Sequence, residues 1–276
     1  MTINEFKNIA IKKLDSITEN SVFETNQLMC HILSCTENQL LINKSKDLTL
    51  SELSLLNYAL DERMSHVPIQ YICKQWDFLG LKMHCGPGCL IPRSETEILA
   101  EKCVKLLKQD GTMLDLCTGS GCIAVSVLKN RADVKCLAVD ISYDALEYAK
   151  MNAHFHGVDD RITFIQHDAF TLKLDTKFDL IVSNPPYIKT KDMENLSPEV
   201  KKEPYIALDG GEDGLDFYKV IASEYKKHLS DDGYILVEIG YDICGEVAKL
   251  FEIDGFTTDI ITDMNGIQRI ICAYKK

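Results

Sequence analysis

From residue 112 onward, short apolar runs alternate with stretches of helical periodicity, and this alternation restricts the fold more than any other feature. Strand candidates fall at residues 112–117, 135–140, 161–166, 178–183, 233–239, 256–262 and 268–274. The early ones are separated by enough chain for a crossover helix. That pattern predicts an α/β domain, a mostly parallel, doubly wound, seven-stranded sheet. The last two candidates are joined by Asp263-Met264-Asn265-Gly266. Asn-Gly favours a tight turn, so the sheet is expected to close with an antiparallel strand.

Upstream the periodicity changes. Residues 1–74 carry helical spacings (Ile3, Phe6, Ala10, Leu14; Leu53, Leu56, Ala59, Leu60) and predict a small N-terminal helical bundle, with Pro68 ending its last long helix. Residues 75–92 predict a linking β-hairpin that turns near Gly80. The α/β domain then spans residues 93–276. Ser94-Glu95-Thr96-Glu97 reads as a capping box for its first helix, which leaves Arg93 as a ligand-facing candidate.

Composition narrows the functional classes. A formal net charge of −12 argues against a nucleic-acid binder, whose affinity comes from neutralising phosphates. The helical segment holds no hidden basic arm. The chain shows neither a basic-then-apolar leader nor a membrane-length apolar run, so a cytoplasmic protein is expected. Eleven cysteines without a Cys-x-x-Cys pair read as reduced core residues, and no metal is expected.

Two motifs carry chemistry. The strand candidate Phe178–Ser183 stops at Asn184-Pro185-Pro186-Tyr187. The prolines end the ladder and stiffen the backbone, so that the Asn184 amide and a neighbouring carbonyl can grip a flat –NH2 group beside an aromatic ring. The second motif is Asp115-Leu116-Cys117-Thr118-Gly119-Ser120-Gly121, between a strand and a helix. Its glycines allow a tight turn and close approach of backbone to a ligand. Asp140 and Asp168 end the next two strands, where one can accept from vicinal ribose hydroxyls and the other from an adenine amino group. Gly119-x-Gly121-x-x-Ala124 with Asp140 also fits a nicotinamide-dinucleotide fingerprint. Asp115 tips the balance, because a carboxylate suits a cationic amino-acid moiety better than a pyrophosphate.

With these residues in view, the chain resembles the class I S-adenosylmethionine-dependent methyltransferases, and among them the HemK-like release-factor glutamine methyltransferases. The similarity rests on Ile91–Glu97, Phe178–Ile188 and Ala207–Tyr218. It implies a Rossmann-like methyltransferase sheet. S-adenosyl-L-methionine would lie against Asp115, Cys117, Thr118, Gly119, Ser120, Gly121, Asp140, Asp168 and Asn184, and S-adenosyl-L-homocysteine would be the product. Asn184, Pro185, Pro186 and Tyr187 would hold the acceptor, with Asn184, Pro185 and Tyr187 catalytic. The implied substrate is the Gly-Gly-Gln glutamine of class I peptide-chain release factors, methylated on N5 by a monomer whose helical domain helps to hold the partner. Cys117 departs from the glycine usual at that position, and its side chain is expected to point away from the cofactor. Three rivals remain: an adenine-N6 nucleic-acid methyltransferase, a nicotinamide-dependent oxidoreductase, and a non-catalytic adaptor carrying a dead domain.

Overall fold

A computed structural model of the chain describes residues 1–275. It separates into two compact units. The first comprises Met1–Gln75 with Ser197–Lys202, and the second Trp76–Leu196 with Glu203–Lys276.

The first unit is helical: α1 (Ile3–Leu14), α2 (Ser21–Leu33), α3 (Glu37–Ile42), α4 (Leu50–Met64) and α5 (Ile69–Cys73). Capping boxes start three of them, from Thr2 to Glu5, Thr36 to Gln39 and Thr49 to Glu52. Their buried stripes include Phe6, Ala10 and Leu14 on α1, Leu28 and Met29 on α2, and Leu56 and Leu60 on α4. Pro68 does not end α4. That helix stops at Met64, and Pro68 opens α5, where its missing N–H costs nothing. One charged cluster is buried here. Arg63, 3% exposed, donates to Glu24 at 2.6 Å and to Glu199, in the returning segment, at 3.1 Å.

A hairpin follows, β1 (Gln75–Phe78, all but Gln75 in the second unit) and β2 (Leu81–His84), whose two turn residues Leu79 and Gly80 both have positive φ, as a right-twisted hairpin requires. Then follow α6 (Ser94–Leu106), β3 (Thr112–Leu116), α7 (Cys122–Asn130), β4 (Lys135–Asp140), α8 (Tyr143–His156), β5 (Ile162–Gln166), β6 (Phe178–Ser183), α9 (Asp216–Glu224), β7 (Leu229–Glu238), α10 (Cys244–Ile253), β8 (Thr257–Thr262) and β9 (Gln268–Tyr274). The sheet order is β5-β4-β3-β6-β7-β9-β8. Strands β3 to β7 pair in parallel, whereas β9 runs antiparallel to both β7 and β8. The predicted sheet and antiparallel closure are therefore present.

Strand alternation sorts the core into two layers. Met113, Leu180, Val182 and Leu236 pack with α6 and α7, while Leu114, Leu116, Ile181 and Val237 pack with α9 and α10. The capping box expected at Ser94 is absent. Arg93 occupies the N-cap position without a side-chain cap, and Glu97 accepts the Leu79 N–H of the hairpin turn at 2.8 Å. A turn amide with no strand partner makes the stronger claim on that carboxylate. Among the described residues no helix is long and apolar enough to cross a membrane.

Candidate active site

The chain lays β3, β4 and β5 outward along one flank of the sheet, then returns to place β6 and β7 on the other. The order reverses between β3 and β6, and open α/β sheets bind ligands outside the carboxyl ends of their strands at such a reversal. A cavity lies there. Its wall includes Cys117, Thr118, Gly119 and Ser120 after β3, Asp140 at the end of β4, Asp168 after β5, and Asn184 and Pro186 after β6. Asp115, Gly121, Pro185 and Tyr187 are not in the wall.

The turn after β3 is built on left-handed backbone. Cys117 has φ +57°, Gly119 +56° and Gly121 +74°. A Cβ at Gly119 would meet no atom within 4 Å, so the open side of the turn stays free for a ligand. Gly121 serves packing instead, because a Cβ there would lie 3.0 Å from Ala149 of α8. Cys117 carries a side chain where glycine is easier, at roughly 1 kcal/mol. Burial beside Asp140 raises its thiol pKa well above the usual range. The residue nonetheless stays in the cavity wall.

The three acids differ. Asp115 is fully buried beneath the turn and accepts the Thr118 hydroxyl at 2.6 Å; burial pushes its carboxyl up to about 7. Asp140 receives the Gly119 N–H on Oδ2 at 2.8 Å and the Ser142 N–H on Oδ1 at 2.9 Å. Burial raises it, and those amides act in the opposite sense. A carboxylate has about four acceptor sites, so two remain for a vicinal diol. Asp168 takes the Phe170 N–H at 2.9 Å. Phe170 and Phe217, edge to face with centroids 4.8 Å apart, add an apolar wall suited to a flat base.

On the other flank, Asn184 donates from Nδ2 to Thr96 Oγ1 at 3.0 Å. The carbonyl end of its amide is then the end left for a ligand. Tyr187 follows, with its phenol pushed up to about 12 by burial first and by Glu238 second. Arg93 reaches the wall, held by a short ion pair to Glu203, which also accepts the Ile91 N–H at 3.0 Å. Sequence reasoning missed Thr96, Glu203, Phe170 and Phe217. Thr96 and Phe217 lay in stretches already singled out, Ile91–Glu97 and Ala207–Tyr218, but for other reasons.

A Rossmann-like sheet with a glycine turn, two strand-end acids, and Asn184 and Pro186 of an Asn-Pro-Pro-Tyr terminus around one cavity defines a methyltransferase. Residues 94–202 match the Methyltransferase small domain and residues 8–73 the PrmC N-terminal domain. A release factor glutamine methyltransferase of Geobacter sulfurreducens is 38% identical, covering 92% of this chain and 89% of that protein. One of Thermodesulfovibrio yellowstonii is 35% identical over 96% and 99% of the two chains. The chain belongs to this family of release factor glutamine methyltransferases. A solved methyltransferase from Pyrococcus furiosus shares the fold with TM-score 0.55 and 18% identity, covering 71% of this chain and 90% of that one.

Proposed function

We propose that this protein transfers the methyl group of S-adenosyl-L-methionine to the side-chain amide nitrogen of the Gly-Gly-Gln glutamine in class I release factors, in the cytoplasm. The observation that carries the reading is Asn184, tied through Nδ2 to Thr96 beside a wall that fits a nucleoside. The relatives' names supply the acceptor. Asp140 would hold the ribose hydroxyls, Asp168 the adenine amino group, and the Thr118–Ser120 turn the remainder. When bound, the cofactor supplies a methyl that is already electrophilic.

The protein's task is therefore the acceptor. An amide nitrogen shares its lone pair with its carbonyl and is a weak nucleophile. Asn184 Oδ1 and the Pro185 carbonyl accept from the substrate –NH2 and leave electron density on the nitrogen as it pyramidalises. Tyr187 lies against the flat amide. The proton leaves after transfer, so no strong base is needed. Asn184→Ala is expected to lose about 2–4 kcal/mol of transition-state stabilisation while cofactor affinity falls far less. Single-turnover labelling of purified release factor, with calorimetry on the cofactor, measures both. Undiminished methylation by the variant would refute the role.

A further inference from the structure

We infer that Asn152 is a positioning residue for the cofactor, tying the turn after β3 to the chain segment that leads from β2 into the cavity wall. This rests on the reading above that S-adenosyl-L-methionine occupies the cavity. It adds a residue that acts on the site from outside the wall.

Residues four apart on a helix share a face. Asp144, Tyr148, Asn152 and His156 stand at that spacing on α8. For each step of four back along the helix, the partner lies two residues further on along the segment. His156 Nε2 donates to Lys82 O at 2.8 Å. Asn152 bonds His84 through both its N–H and its carbonyl. A Cβ on Gly86 would overlap the Tyr148 hydroxyl oxygen, and one on Gly88 would lie 2.8 Å from the Asp144 Cβ. Four helical residues rise about 6 Å and two strand residues about 6.6 Å, so the two chains keep step. The helix thereby sets where the segment stands when it joins the cavity wall, at Gly88 and then from Leu90 to Arg93.

Asn152 is the one of the four whose hydrogen bonds, among the described residues, also reach the turn after β3. Its Oδ1 accepts the His84 N–H at 2.6 Å. Its Nδ2 donates to His84 O at 3.0 Å and to Ser120 O at 2.9 Å. The side chain is fully buried. Its amide has one orientation, because the His84 N–H needs an acceptor and the two carbonyls need donors. Removing it leaves three backbone groups short of a partner.

Ser120 is where that constraint bears on the cofactor. It lies in the cavity wall between Gly119 and Gly121, and backbone flanked by glycines reorients at small cost. The Gly119 N–H is held by Asp140 at 2.8 Å and the Gly121 N–H by Thr118 O at 2.8 Å. The bond from Asn152 fixes the Ser120 carbonyl between them, on a side chain that is not part of the wall. A turn already held in its binding shape spares the cost of ordering it when the ligand arrives.

The test must separate positioning from mere support of the fold. Calorimetry with S-adenosyl-L-homocysteine reads the affinity of the cofactor site. Asn152→Ala should weaken Kd about tenfold. His156→Ala removes a neighbouring contact with the same segment that does not touch the turn, and Val247→Ala opens the core under α10. Both should keep Kd within about twofold, although Val247→Ala lowers the thermal midpoint. Coupling of this kind is reciprocal, so in wild type saturating S-adenosyl-L-homocysteine should slow hydrogen exchange at the His84 amide about tenfold and leave the β8 amides unchanged. An Asn152→Ala protein that binds like wild type, or equal weakening in all three variants, would overturn the inference. So would a His84 amide whose exchange ignores the ligand, a measurement on wild type that decides the matter even if Asn152→Ala does not fold. Wild type that binds no S-adenosyl-L-homocysteine would instead sink the cofactor assignment on which the inference stands.

Discussion

Asp115 shows how a single residue can be placed correctly in the chain and still be assigned the wrong neighbours. As the acid before a glycine turn it looked like a ligand contact. Strand alternation sends it, with Met113, to the face covered by α7, under the turn and not at the cavity edge. There its raised carboxyl is a stability term. Below its ordinary value of 3.8 the group is neutral folded or unfolded, and nothing is lost. Between 3.8 and about 7 the folded chain keeps a proton that the unfolded chain releases, so stability falls as pH rises. Asp115→Asn is therefore expected to raise the thermal midpoint at pH 8, by the equivalent of about 2–4 kcal/mol, and to leave it nearly unchanged at pH 4. Scanning calorimetry at the two pH values checks this, and an equal gain at both would contradict it. Asn184, Asp140 and Asp168 were legible because each lies at or just past a strand end, which the periodicity locates. Thr96 was not, because its partner is 88 residues away and no local pattern encodes such a pair.

At the scale of elements, the stretch from Ala207 to Tyr218 acts as a buttress for Asn-Pro-Pro-Tyr. Ile188 and Asp209 form a parallel bridge, with Ile188 N–H to Leu208 O at 3.0 Å and Gly210 N–H to Ile188 O at 2.8 Å. The glycines permit the approach. A Cβ on Gly210 would lie 2.7 Å from the Tyr187 Cα, and one on Gly214 would lie 2.6 Å from the Tyr187 carbonyl oxygen. Gly210→Ala must push on backbone that cannot yield cheaply, so a loss of about 1–3 kcal/mol in denaturant stability is expected, together with methylation. Gly245→Ala is the contrast: it sits in α10 with open space around it and should be neutral or slightly stabilising. Equal effects from the two substitutions would remove the buttress argument. The sequence marked this stretch only through family resemblance; the close approach that explains its glycines is a tertiary fact. The supposed capping box at Ser94 failed for a related reason, since Glu97 answers to a hairpin amide 18 residues away.

At the scale of the molecule, strands, their order of appearance and the helical start were readable from periodicity. The passage of Ser197–Lys202 into the helical unit was not, because a six-residue stretch in a long connection carries no periodic signal. What holds them there is ionic. Arg63→Ala strands Glu24 and Glu199 without their cation, and removing one partner of a buried pair costs about 3–5 kcal/mol. Hydrogen exchange should show lost protection in α2, α4 and residues 197–202, with the amides of β3 and β6 unaffected; loosening of those strands would mean that the charge cluster supports more than its own unit.

The bridge between Ile188 and Asp209 has a consequence for how such a chain can change. It closes the intervening connection at its neck, and beyond a closed neck extra length adds only a slowly growing entropic cost. Added length in the exposed part of that connection, away from Glu199 and Glu203, should therefore be tolerated while Asn184–Tyr187 keeps its place.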